Sequence, residues 1–352
     1  MKYLLTIVIF QIITVSVLAQ SIQMETANKL MEEAMKKDYL PSLSVAVMKE
    51  DKVVFAKALG YADLENNVAA TTESVYRIGS ISKSITAVLI MALQEKGKLN
   101  INSQVQLYCA DFPEKEFPIT VKQLLCHQGG IRNYKSNLED RSTIHYASSQ
   151  EAIRIFKNDS LIVKPGTEYK YSTFGYTLLG CAIEGVVHDS YENALKQYVL
   201  NPSGMVQTTL DDFIKVIPHR VHQYWRGENN TWINTVTVDL SNKYPGGGIL
   251  STPIELTRFG NTLLEGKLIN LNSLEALWES QKNSNGVSTN YGLGWRVSED
   301  QNEVFHGGSS TGGESYLYIQ RDKKIVVAFM TNSDGWSKPR HKLAQQLAEV
   351  FE

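Results

Sequence analysis

Residues Ile81–Glu95 form a segment that is apolar on nearly every face. Ile81, Ile85, Val88, Leu89 and Ala92 keep a helical period, while Ala87, Ile90, Met91 and Leu93 fill the remaining faces. Gly97 stands where a helix-ending glycine belongs. A helix without a polar face must be buried on every side, so the chain has to supply layers around it. Two strand-like runs, 43–48 and 53–58, precede it and read as a hairpin turning at Lys49-Glu50-Asp51-Lys52. Three more runs, 303–305, 316–319 and 325–330, lie near the other end, with helical patterns over 26–37, 254–264 and 339–351. Between 100 and 241 strand signals are sparse, and short helical patterns alternate with polar loops. The pattern predicts an α+β fold: an antiparallel sheet flanked by helices, built from 20–99 and 242–352, with a mainly helical insertion over 100–241.

The first residues read as a targeting signal. Lys2 is a short positive region, 4–18 an apolar core interrupted by Thr6, Gln11, Thr14 and Ser16, and Val17-Leu18-Ala19 offers small residues for cleavage before Gln20. The apolar run falls short of the roughly 20 residues a membrane span needs. The expectation is a cleavable signal over 1–19, an exported product that is secreted or periplasmic, and no stable membrane span after cleavage. With Lys+Arg 35 against Asp+Glu 37 the net charge is −2, so no basic excess exists to neutralise nucleic-acid phosphates. The expected partner is a small molecule or peptide in a cleft. Composition leaves the oligomeric state open. Cys109, Cys126 and Cys181 are odd in number and include no C-x-x-C pair, which excludes a disulfide framework or thiolate zinc site. Although one bridge is feasible in an oxidising compartment, their apolar neighbours favour buried free thiols. His219 and His222 have no neighbouring carboxylate or third histidine, so no metal and no cofactor is expected.

Three short stretches carry reactive residues. Gly79-Ser80-Ile81-Ser82-Lys83 opens the apolar helix and sets Ser80 and Lys83 one turn apart on one face. A serine there could serve only as an N-cap. A purely structural cap, however, favours Glu or Gln where Lys83 stands, and acidic charge in the first turn. A desolvated lysine can take the proton of a neighbouring hydroxyl. Tyr171-Ser172-Thr173 follows the turn Pro165-Gly166-Thr167, and a phenol held near an ammonium can act as a base. Tyr191, within Tyr191-Glu192-Asn193, lies in a helical pattern and is set aside. The third stretch, Phe305-His306-Gly307-Gly308-Ser309-Ser310, reads as a strand running into a glycine-rich turn. Its N–H groups could stabilise an oxyanion. Gly308-Ser309-Ser310-Thr311-Gly312 also matches the hydrolase nucleophile elbow, but the residues after it read as a strand where the elbow needs a helix.

In this order the S-x-x-K, Y-S-x and H-x-G stretches resemble the penicillin-recognising serine hydrolases: class C β-lactamases, low-molecular-weight penicillin-binding proteins and related esterases and peptidases. Leu124-Leu125-Cys126-His127-Gln128-Gly129-Gly130-Ile131, Pro202-Ser203-Gly204-Met205, Gly246-Gly247-Gly248 and Tyr291-Gly292-Leu293-Gly294-Trp295 add to the likeness. Within the family the motifs are most similar to those of the mitochondrial β-lactamase-like serine peptidase.

The resemblance implies Ser80 as an acylated nucleophile, with Lys83 and Tyr171 sharing the proton traffic. It also implies an oxyanion hole from the N–H groups of Ser80 and Ser309, and substrate binding by Thr173, His306, Gly307 and Gly308. Where true β-lactamases usually carry Asn, this chain has Thr173; where they carry Lys-Thr-Gly, it has His306-Gly307-Gly308. Both changes weaken the grip on a substrate carboxylate. The expected activity is therefore that of a peptidase, similar to a D-Ala-D-Ala carboxypeptidase, or of an esterase. The alternatives are a β-lactamase or a catalytically silent binding or scaffold protein.

Overall fold

The computed structural model describes the backbone of residues 2–336 and 339–352, and side chains from Gln20 onward over the same ranges. The expected signal segment, 1–19, lies outside the residues whose side chains are described. The first helix, α1 (Lys2–Asp38), is much longer than the 26–37 read from periodicity, and no Gly or Pro interrupts it. Of the residues that face the sheet, Ala27 and Met31 are fully buried.

Among the described residues, seven strands form one antiparallel sheet: β1 (Ser42–Lys49), β2 (Lys52–Asp63), β3 (Val68–Ala69), β4 (Arg296–Val297), β5 (Glu303–Ser310), β6 (Gly313–Gln320) and β7 (Ile325–Thr331). Their spatial order is β3-β2-β1-β7-β6-β5-β4. The early hairpin joins the late meander through β1 and β7, in register at Ala46↔Ala328 and Val47↔Val327. Both faces of β7 are covered, which is why it reads as an unbroken apolar run. Ile325, Val327 and Phe329 pack towards α1 and α5 (Arg340–Val350). Val326, Ala328 and Met330 belong to the core shared with α2 (Ile81–Glu95) and α4 (Pro253–Leu264).

α2 has the bounds read from its pattern and is buried from Ile81 through Leu93. It lies between the sheet and α3 (Thr173–Val187), and residues of all three share one core. Ile249–Ser251 pairs with both Tyr76–Arg77 and Thr209–Leu210, tying the middle of the chain to the approach of α2.

Two expectations are corrected. Gly307–Ser310 is strand and not turn: β5 runs through to Ser310, which pairs with Gly313, and the reversal is only Thr311-Gly312. The next segment is strand β6, so the nucleophile-elbow match has no structural counterpart. Secondly, Cys109 and Cys181 form a disulfide, leaving only Cys126 as a buried free thiol. The helical turn Val105–Leu107 brings Cys109 onto α3, and Gly185, one turn beyond Cys181, lets the Tyr108 carbonyl lie directly against that helix. Seventy-two residues separate the partners, so local spacing carries no sign of the pairing.

Closing a loop of that length stabilises the fold by about 2–4 kcal/mol. Urea unfolding of the Cys109→Ala/Cys181→Ala variant is expected to show that loss, with Cys126→Ala much milder. An unchanged midpoint in the double variant would contradict the pairing.

Candidate active site

The fold brings the three reactive stretches to one cleft. Ser80 occupies the N-cap of α2 with helical φ −66° and ψ −7°, and its hydroxyl makes no capping bond. Ser172 at the start of α3 behaves in the opposite way, accepting the Gly175 N–H at 3.0 Å. The Ser80 oxygen is thus free of capping duty. Tyr171 donates its phenolic O–H to it at 2.8 Å, and Lys83 Nζ lies 3.1 Å from it.

Lys83 is fully buried. Its Nζ also lies 3.3 Å from Thr173 Oγ1 and 2.5 Å from the Gly246 carbonyl, beneath the Tyr171 ring at 4.8 Å. Among the described residues no carboxylate comes within ion-pair distance of it. Burial, helped by the nearby Lys243 cation, holds its pKa well below the usual lysine value. Once deprotonated, the amine can keep N–H groups on Gly246 and Thr173 and turn its lone pair to Ser80. Burial drives Tyr171 the other way, raising its pKa although the Ser80 hydrogen bond opposes the rise. Burial thus favours the protonated phenol.

Beside Ser80, strand β5 approaches closely because two glycines permit it. Gly79 has φ +49°, and a Cβ there would sit 2.6 Å from Ser309 N; at Gly308 it would meet the Ile78 carbonyl at 1.9 Å. The backbone at Ser309 is thereby laid against Gly79, the residue before Ser80, where two N–H groups can face one oxyanion. Arg340 Nη1 donates to the Gly308 carbonyl at 2.8 Å and braces β5 from α5.

His306 comes to the site on β5, but its ring is buried and both nitrogens are occupied, one by Tyr291 OH at 3.0 Å and one by the Gly307 carbonyl at 2.7 Å. Burial is the main cause that pulls its pKa down to about 3. His306 and Gly307 line a cavity of about 440 Å³ with Tyr171, Arg296, Arg340 and His341. A larger cavity of about 570 Å³ contains His219 and His222 but none of Ser80, Lys83 or Tyr171, and no cluster able to hold a metal occurs among the described residues. Tyr191 is buried away from Ser80, with its hydroxyl on Thr86 at 2.7 Å.

Sequence reasoning missed the Gly246 carbonyl, Lys243 and Tyr291 as parts of the site. Gly246 and Tyr291 stand in motifs that had been noted, but neither motif revealed what the residue touches. Lys243 is paired with Asp140 and set over the Tyr134 ring at 4.6 Å, and carried no signal.

The family model described as Beta-lactamase matches residues 27–352. The chain is 30% identical over 315 residues to the serine beta-lactamase-like protein LACTB, mitochondrial, of Homo sapiens, covering 70% of this chain and 57% of that protein. It is 26% identical over 334 residues to protein flp of Staphylococcus aureus (strain N315), covering 89% of this chain and 64% of flp. The chain therefore spans less than two thirds of the length of either relative. Among solved structures, the octameric penicillin-binding protein homologue from Pyrococcus abyssi superposes with TM-score 0.77 at 26% identity, over 92% of this chain and 76% of that one. The D-amino acid amidase from Ochrobactrum anthropi SV3 shares the fold at TM-score 0.80 and 19% identity, over 93% and 98%.

Burial of the site has a cost in acid. His127, like His306, is held well below the ordinary histidine value, mainly by burial. Unfolded imidazoles take up protons below about pH 6.5 while the folded ones stay neutral, so stability falls as pH drops below that point. The limiting slope is about 1.4 kcal/mol per pH unit for each imidazole. Urea unfolding at pH 7 and pH 5 is expected to show this loss, and His306→Gln should remove part of the pH dependence. Equal pH dependence in the variant would refute the assignment.

Proposed function

The chain belongs to the β-lactamase family of serine hydrolases, and within that family we propose that it works through an acyl-enzyme on Ser80. The observation that carries this reading is the Ser80 oxygen held 2.8 Å from a protonated phenol and 3.1 Å from a buried amine that no carboxylate keeps charged. As the Ser80 oxygen attacks an acyl carbonyl, Lys83 takes its proton. The Ser80 and Ser309 N–H groups receive the negative charge that develops on the carbonyl oxygen. The proton passes from Lys83 through Tyr171 to the leaving group. Tyr171 acts as a carrier, since its raised pKa disfavours a standing phenolate. Water then attacks the acyl-enzyme along the reverse path, regenerating Ser80.

For substrate we propose a peptide, as for a D-Ala-D-Ala carboxypeptidase, or an ester. What supports this is the neutral, buried His306 in place of a third-motif lysine, and the single hydroxyl of Thr173 turned towards Lys83. Neither position offers a cation to a β-lactam carboxylate; the cations that line the cavity beside them are Arg296 and Arg340. Export to the periplasm or medium is also proposed, supported by the Cys109–Cys181 disulfide, which suits an oxidising compartment.

A fluorophosphonate probe is expected to label the wild type and not Ser80→Ala. Lys83→Ala should slow labelling about 10²–10³-fold, in the range of general-base effects. Labelling of the wild type no faster than Ser80→Ala would sink the enzyme reading, and nitrocefin turnover rivalling that of short esters would sink the substrate reading. For export, the intact mass of protein recovered outside the cytoplasm should correspond to a chain starting at Gln20. Recovery of unprocessed chain from the cytoplasm alone would argue against it.

A further inference from the structure

His127 holds the segment that carries Tyr171 at three points. Its carbonyl accepts the Lys170 N–H at 2.8 Å and its Nδ1 accepts the Ser172 N–H at 3.2 Å. Its ring lies on the Tyr171 ring with centroids 4.2 Å apart. Both chain neighbours of Tyr171 and the ring itself are thus gripped by one residue. That residue adopts φ +59°, a left-handed conformation uncommon outside glycine. Its other nitrogen, Nε2, faces Tyr291 OH at 3.2 Å, and the same phenol faces His306 Nε2 at 3.0 Å. All three side chains are buried.

The polarity of this chain of hydrogen bonds is fixed at both ends. The Ser172 N–H can only donate, so Nδ1 of a neutral His127 carries the lone pair and Nε2 carries the hydrogen. His127 then donates to Tyr291, and Tyr291 donates to His306 Nε2. His306 must carry its hydrogen on Nδ1, which donates to the Gly307 carbonyl at 2.7 Å. That carbonyl can only accept, so the two ends demand the same direction. An extra proton on His306 would break the order by setting two N–H groups against one phenol oxygen.

We propose that His127, Tyr291 and His306 form a directional relay that registers the Tyr171 segment against strand β5, with Tyr291 as the positioning residue that links the two walls of the cleft. The relay touches neither Ser80 nor Lys83. It acts by fixing where Tyr171 stands and how the His127 ring is turned. The proposal rests on Tyr171 working with Ser80, and it adds a requirement that the catalytic reading alone does not make: the two histidines must be opposite tautomers.

Two measurements on the full chain test it. In ¹⁵N-histidine NMR of the wild type at neutral pH, His127 is expected as the Nε2–H tautomer and His306 as the Nδ1–H tautomer, assigned by His127→Gln and His306→Gln. Two identical tautomers, or an imidazolium at either site, would overturn the relay whatever the activity. In kinetics on a p-nitrophenyl ester, Tyr291→Phe keeps the ring and removes the hydroxyl. It should lower kcat by about 10–100-fold, the scale of a small misplacement of a reacting group, with KM little changed. The losses of Tyr291→Phe and His127→Gln should combine less than additively, since the two residues share one hydrogen bond. Wild-type kcat in Tyr291→Phe, or a loss confined to KM, would overturn the relay. Absence of Ser80 labelling in the wild type would instead overturn the proposed function, with the tautomer measurement still deciding the relay.

Discussion

The site depends on an amine that the protein has taken out of water without giving it a countercharge. Lys83 meets two hydroxyls and a carbonyl where a buried lysine would ordinarily find a carboxylate. Burying a charged ammonium under those terms is costly, so the group holds its proton far less tightly than an ordinary lysine. That result needs every neighbour: α2 closed in on all sides, α3 bringing Thr173, and the turn at Gly246 bringing a carbonyl. The layered architecture around α2 can be understood as the enclosure that keeps this nitrogen dry.

Much of that enclosure was legible in the sequence. The apolar circumference of Ile81–Glu95 could be read at once, because a helix without a polar face leaves no choice about burial. The hairpin of β1 and β2 was legible from two strand-like runs and the polar turn between them, and β7 from its unbroken apolar run. The bounds of β5 were not. Gly307 and Gly308 look like turn residues, and their place within a strand follows from a tertiary fact, the close pass of Ile78 and Gly79. The pairing of Cys109 with Cys181 is likewise hidden, since it arises from how one helical turn lands on α3. Ser80, Lys83 and Tyr171 stood out by residue type and order. The partners that set their chemistry, such as the Gly246 carbonyl and His127 Nδ1, are backbone groups or ring atoms whose contacts belong to the assembled fold.

The two walls of the cleft are joined through Tyr291. On one side the strand edge is braced by Arg340 through the Gly308 carbonyl, and on the other Ser172 caps α3 and donates its hydroxyl to the Arg132 carbonyl. Between them run single hydrogen bonds through Tyr291 and the close backbone pass at Gly79. His127 holds a left-handed backbone at this junction, a local strain that the surrounding core compensates.

The covalent link between Cys109 and Cys181 gives one wall an unusual topology. His127, Tyr171 and Thr173 all lie within the ring of chain that this bond closes, whereas Ser80, Lys83 and β5 lie outside it. The exposed stretch around Leu138 and Ile144 also falls inside the ring. A protease that cut there would open a loop but release no fragment, because both new ends would remain tethered through the bridge. The wall bearing Tyr171 is in this sense a cyclic piece threaded into a linear protein, able to survive a nick that would divide the chain anywhere outside it.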